Sequence, residues 1–233
     1  MYALSIATAI VLLLLVVFVH ELSHALVAIA RGVRVKEASV GFPLWPVIRR
    51  KVRGVPVAVS PWLIGAGIIL DDEQLWKLPL VKRLLVFIYG PIGNLLAAGL
   101  VAWVTLGFTW GFAATSEMFT ASVGALSQVI ASGVPMEQIF GPIRLVSFSS
   151  NVLLIEYWLG IVFIWLLMNC ALAAFNFLPL PGLDAGHFGL SLLLANRKDG
   201  KRLWRKITLS FYPLLLTFVV VLLVNDIRFL GAW

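Results

Sequence analysis

The chain has 233 residues, 61% hydrophobic and 12% charged, with a mean hydropathy of +1.00. This composition excludes a soluble domain that merely has a large core, and it points to a membrane protein. The net charge of +7 does not indicate a nucleic-acid partner, because ten of the 18 Lys and Arg lie between Arg31 and Arg83 and six between Arg197 and Lys206, flanking apolar stretches.

The hydropathy pattern predicts a multi-pass α-helical membrane protein with about four transmembrane helices, at about 2–30, 81–112, 152–178 and 207–224. Each is long enough to cross a hydrocarbon core of roughly 30 Å. By the positive-inside rule the two basic segments face the cytoplasm, both chain ends face outside, and the expected location is the cell membrane. The first span lacks a basic n-region and exceeds an h-region of about 7–15 residues, so it reads as a retained helix, not a cleavable signal peptide. Cys170 is the single cysteine and reads as a packing residue.

The first span carries His20-Glu21-Leu22-Ser23-His24, an H-E-x-x-H pattern. On a helix the two histidines, four apart, share one face, so their imidazoles suit a single metal ion. A carboxylate beside them, Glu21, can take a proton from a water activated by that metal, the division of labour found in zinc proteases. Ionisable groups in such a helix cost on the order of 3 kcal/mol each and usually mark a site; the competing reading is a structural hydrogen-bonded cluster. With Arg31 at the cytoplasmic boundary, His24 and His20 lie about 10 and 16 Å below that surface.

The next region, about 37–70, is too broken for a spanning helix. Short β-branched runs around Arg53-Gly54 predict a β-hairpin, and the ten apolar residues of Pro61–Leu70 are too few to cross, which predicts a membrane re-entrant segment. A hairpin edge near a site suits an extended peptide; the competing reading is a lid or a ribbon on the lipid surface. Asp71-Asp72-Glu73 reads as a solvated acidic run.

The second span opens Gly90-Pro91-Ile92-Gly93-Asn94, where small residues allow a close helix neighbour. The Asn94 amide needs a partner there, either a neighbouring helix or a bound peptide backbone. Residues 113–151 are mixed, include Glu117 and Glu137, and admit an interfacial helix. No internal repeat or long linker divides the chain, so one domain over 1–233 is expected.

The third span breaks at Asn176-Phe177-Leu178-Pro179-Leu180-Pro181-Gly182-Leu183-Asp184-Ala185-Gly186-His187. A carboxylate on broken backbone within a membrane needs neutralising, and a metal on His20 and His24 would do it. Two His, one carboxylate and a water make a four-coordinate zinc site with one open position. His187 is the alternative ligand or, equally, an orienting group. Asn176 bonds either substrate backbone or its own helix end.

These three segments, in this order and on suitable spans, resemble the site-2 protease family of intramembrane zinc metalloproteases. The resemblance covers roughly the first 110 residues and about 140–190. It implies zinc bound by His20, His24 and Asp184, Glu21 as the group that activates water, Asn176 with Pro179 and Pro181 as substrate-holding residues, and 38–60 as a membrane re-entrant β region. Two departures stand out. Ala185 replaces a usual glycine, and a positive φ there would strain alanine by about 1 kcal/mol or more. The 39 residues from Ala113 to Asn151 cannot hold the PDZ domain that many relatives carry, so the chain resembles a compact form.

The expectation is an endoprotease acting on transmembrane substrates in the lipid bilayer near the cytoplasmic face, with zinc as cofactor and no nucleic-acid partner. Asn94, Asn176, Pro179 and Pro181 are the candidate substrate-binding residues. The alternative is a membrane zinc-binding regulatory protein using the same ligands, for which Ala185 is the sequence support. Serine and aspartyl intramembrane chemistry is disfavoured, since there is no G-x-S-x-G and Asp184 stands alone in such a setting.

Overall fold

The computed structural model describes residues 1–41, 47–52, 54–60, 66–133, 135, 139 and 141–231. Among them are eight helices, α1 (Tyr2–Ala30), α2 (Asp72–Lys77), α3 (Leu80–Leu106), α4 (Phe108–Ser132), α5 (Pro142–Ile155), α6 (Tyr157–Asn176), α7 (Asp184–Leu193) and α8 (Gly200–Gly231). Four strands, β1 (Val35–Val40), β2 (Ile48–Val52), β3 (Val55–Val59) and β4 (Ala66–Leu70), lie between α1 and α2. Helices α1, α3, α6 and α8 are long and apolar enough to cross a membrane. The chain is therefore a multi-pass helical membrane protein carrying a small sheet.

Two compact units are formed, one of Met1–Leu13, Leu95–Phe175 and Thr208–Trp233, the other of Leu14–Asn94 and Asn176–Ile207.

Helix α1 is apolar on all sides, but its faces differ. Leu4, Val11, Leu15, Phe18, Leu22, Leu26 and Ile29 form an exposed stripe, while Ser5, Ala9, Leu12, Val16, His20, His24 and Ala28 form the buried one. An exposed apolar stripe suits lipid, which leaves the histidines on the protein-facing side. The helix stops at Gly32, whose φ of 78° opens a left-handed cap. Val33 N–H then reaches Ala28 C=O at 2.9 Å and Gly32 N–H reaches Ile29 C=O at 2.9 Å, the paired bonds of a Schellman motif.

In the second unit, β2 and β3 form the expected hairpin, with Gly54 at φ 84° in its turn. The sheet order is β2-β3-β1-β4, with β1 parallel to β3 and antiparallel to β4. Strand β3 is thus paired on both sides, so the hairpin's outer edge is that of β2. The outer strands are β2 and β4. Of the anticipated re-entrant region, 42–46, 53 and 61–65 lie outside the described residues, while 66–70 is a strand. Asp71, instead of being only solvated, caps α2 by accepting from the N–H groups of Glu73 and Gln74 at 3.0 and 3.3 Å. The core of this unit gathers Ala28, Val33, Leu75, Val86, Phe87, Leu194 and Trp204.

In the first unit the second span ends at Leu106, not near 112. Gly107, at φ 81°, turns the chain into α4, which fills much of the stretch expected to be mixed. A Cβ at Gly111 would stand 2.6 Å from the backbone of Ala102 and Trp103, so glycine is what lets α4 fold back on α3. Glu137 lies outside the described residues. Helix α5 begins where Asp226 of α8 accepts from the N–H groups of Gly141, Ile143 and Arg144 at 3.0, 2.9 and 3.1 Å. Helix α6 packs through Leu166 and Cys170 against Ala98 and Ala102.

Candidate metal centre

All the groups that meet around the H-E-x-x-H motif belong to the second unit. The imidazoles of His20 and His24 leave the buried stripe of α1 with their Nε2 atoms 3.3 Å apart. Asp184, first residue of α7, places Oδ2 3.0 Å from His20 Nε2 and Oδ1 3.2 Å from His24 Nε2. The three side chains are the one His/Cys/Asp/Glu group with metal-ligand geometry among the described residues.

The break before α7 aims the carboxylate. Leu183 N–H bonds to Leu180 C=O at 3.0 Å across Pro181 and Gly182, with Gly182 at φ 100°, the residue order and backbone of a type II turn. A Cβ at Gly186 would overlap the Leu180 carbonyl, so this glycine lets α7 pack back on the turn. Ala185, by contrast, lies in the first turn of α7, where helical backbone suits alanine and no strain arises.

The far sides of the imidazoles fix their tautomers. The Asn94 amide donates from Nδ2 to Val16 C=O at 3.0 Å, so its Oδ1 is the atom facing His20 Nδ1 at 2.7 Å. His24 Nδ1 faces Val86 C=O at 2.7 Å. Both acceptors require N–H at Nδ1, which leaves a lone pair on each neutral ring's Nε2. Two lone pairs and a carboxylate therefore face one another, and Asp184 Oδ2 is buried without a donor. A cation between them removes the repulsion. A tetrahedral zinc with bonds of about 2.0–2.1 Å has ligand–ligand edges of about 3.3 Å, close to those seen, so the donor set fits zinc in both chemistry and spacing.

Glu21 is half-buried beside this cluster, and its Oε2 accepts from the Ile68 N–H of β4 at 3.0 Å. Asn94 is fully buried, and between the two partners weighed from sequence the structure gives it helix partners, Val16 and His20. Asn176 is buried at the end of α6, Pro179 is exposed, and Pro181 is half-buried in the turn. His187 is not among the clustered donors. Its ring lies 5.3 Å from that of Phe87 and 5.2 Å from that of Trp204.

Three contributors escaped the sequence reading. The Val86 carbonyl and the Ile68 amide are main-chain groups without a side-chain signature. Gly90 was assigned to helix packing in general, yet a Cβ there would overlap His24 Nε2 and stand 2.8 Å from His20 Cε1. Its spacing of four from Asn94 was the available signal, since both then share one face of α3.

No curated protein matches the chain. The sequence profile described as Peptidase family M50, the metalloprotease family of the site-2 proteases, matches residues 8–221, nearly the full length, and the chain belongs to that family.

Proposed function

We propose that this chain is a single transmembrane protease domain, a zinc endopeptidase that hydrolyses peptide bonds in the transmembrane segments of other membrane proteins, near the cytoplasmic face. The observation that carries this reading is the convergence of His20 Nε2, His24 Nε2 and the Asp184 carboxylate within 3.3 Å of one another, with Glu21 beside them. The orientation rests on the basic flanks at 31–83 and 197–206.

His20, His24 and Asp184 would hold the zinc ion, whose chemistry there would be Lewis acidity toward a water and the scissile carbonyl. Glu21 accepts the proton of the attacking water and returns it to the leaving amine nitrogen. Asn94 and the Val86 carbonyl hold the imidazoles in the tautomer that keeps Nε2 free for the metal. A helical substrate must unwind before its carbonyl is accessible, and the outward-facing main-chain groups of β4 other than the Ile68 N–H, which Glu21 occupies, offer an extended segment partners. Asn176, Pro179 and Pro181 are retained as candidate substrate contacts, and the exposure of Pro179 supports its place among them. Asn94, expected among them, is fully buried with both ends of its amide on Val16 and His20 and serves instead to position His20. The alternative of a zinc-binding regulatory protein without activity drew on Ala185, whose helical setting carries none of the strain that a positive φ would bring.

The test is metal removal in proteoliposomes containing a single-span reporter. Chelator-stripped enzyme should not cleave, and stoichiometric zinc should restore cleavage. Undiminished cleavage by metal-free protein would refute the proposal.

A further inference from the structure

We infer that the main-chain N–H of Ile68 positions Glu21, so that the sheet, and not the motif helix alone, sets the geometry of the proton acceptor. The inference rests on the proposed role of Glu21. Glu21 follows His20 directly on α1, about 100° round the helix, so its long side chain must be steered back toward the metal ligands. A glutamate with three rotatable torsions does not hold such a pose without a partner.

The partner is Ile68 N–H, 3.0 Å from Glu21 Oε2. Ile68 stands opposite Ala38 in the antiparallel β1·β4 pair. Opposite residues in such a ladder alternate between those that bond each other and those whose N–H and C=O turn outward. The N–H of Ile68 goes to Glu21, which places Ile68 with the second kind. Strand β4 is bonded to β1, and β1 in turn to β3, so the donor is fixed by several layers of backbone. With Oε2 held, Oε1 is the oxygen left for the water proton. A misplacement of about 1 Å in a reacting group costs on the order of 100-fold in rate, which sets the scale of the effect.

The test is a double-mutant cycle on reporter cleavage in proteoliposomes. Ile68→Pro deletes the N–H, and an edge strand tolerates proline where that N–H points away from the ladder. It is read against Ile68→Val, which alters the side chain and keeps the N–H. Relative to Ile68→Val, Ile68→Pro should lower kcat on the order of 10- to 100-fold, with KM and zinc per chain unchanged. In a Glu21→Asp background, whose carboxylate is too short to reach the strand, it should cause no further loss.

An unchanged kcat, equal losses in both backgrounds, or a rise in KM with kcat intact would overturn the inference, the last by making the amide a substrate contact. If Ile68→Pro does not yield zinc-loaded protein, the cycle is run with the α-hydroxy analogue of isoleucine at position 68, which replaces N–H by oxygen without a ring. Wild-type cleavage by Glu21→Gln would end the proton-acceptor reading itself. An inactive Glu21→Gln beside full activity in Ile68→Pro would end only the positioning inference.

Discussion

His20 and Asn94 are joined by a 2.7 Å hydrogen bond between Nδ1 and Oδ1, and the other end of the same amide holds the Val16 carbonyl one turn back along α1. One side chain of α3 thereby fixes both the rotation of an imidazole and the helix that bears it. Replacing Asn94 with Leu removes the acceptor and leaves the imidazole orientation unsupported. Zinc affinity should fall about 10- to 100-fold, measured by competition with a chelator of known affinity, and unchanged affinity would refute this role.

Gly90 is set against the same rings, with no room for a Cβ beside His24 Nε2. Gly90→Ala should reduce bound zinc well below one per chain. Gly99→Ala, at a glycine of α3 whose Cβ would meet nothing within 4 Å, should leave it at the wild-type value. Metal analysis of the two purified variants decides the matter, and equal zinc in both would contradict the geometry.

Asp226 accepts three N–H bonds at the start of α5 while fully buried. Asp226→Ala strands those donors, two of them buried, at a cost of about 2–3 kcal/mol. Thermal unfolding in detergent should show a lowered midpoint. A midpoint equal to wild type would mean that α5 is capped by other means.

For Asp71, burial works to raise the carboxyl, but the Gln74 N–H, the Lys36 ammonium and the Glu73 N–H outweigh it and hold the group below the usual carboxylate range. A depressed pKa means that its stabilisation is complete above the ordinary Asp value, about 4, and is lost as pH falls through the lowered folded value. Wild-type protein should therefore lose more thermal stability than Asp71→Asn on going from about pH 5 to about pH 3. Parallel losses would show that this cap makes no pH-dependent contribution.

The part of the centre built from side chains was legible before the fold was known. Histidines four apart on a helix must share a face, and a carboxylate on the broken backbone at Asp184 needs neutralising. The supporting groups were not legible, because Val86 C=O and Ile68 N–H are features every residue has. The hairpin followed from local turn chemistry at Gly54, but the burial of β3 between two strands depends on its parallel pairing with β1, a non-local contact. The end of the second span was misplaced for a related reason. Hydropathy stays high across Leu106-Gly107-Phe108, whereas the chain reverses there on the backbone freedom of one glycine. Ala185 shows the reverse error, since the positive φ of this loop falls at Gly182 and not beside the ligand.

The most direct measurement is cleavage of a panel of single-span reporters in liposomes by wild type and Glu21→Gln, with zinc quantified in both and the cleaved bond located by mass spectrometry. The account predicts equal zinc, cleavage by the wild type alone, and a cut within the apolar span toward its cytoplasmic end. Cleavage by Glu21→Gln at the wild-type rate would contradict it.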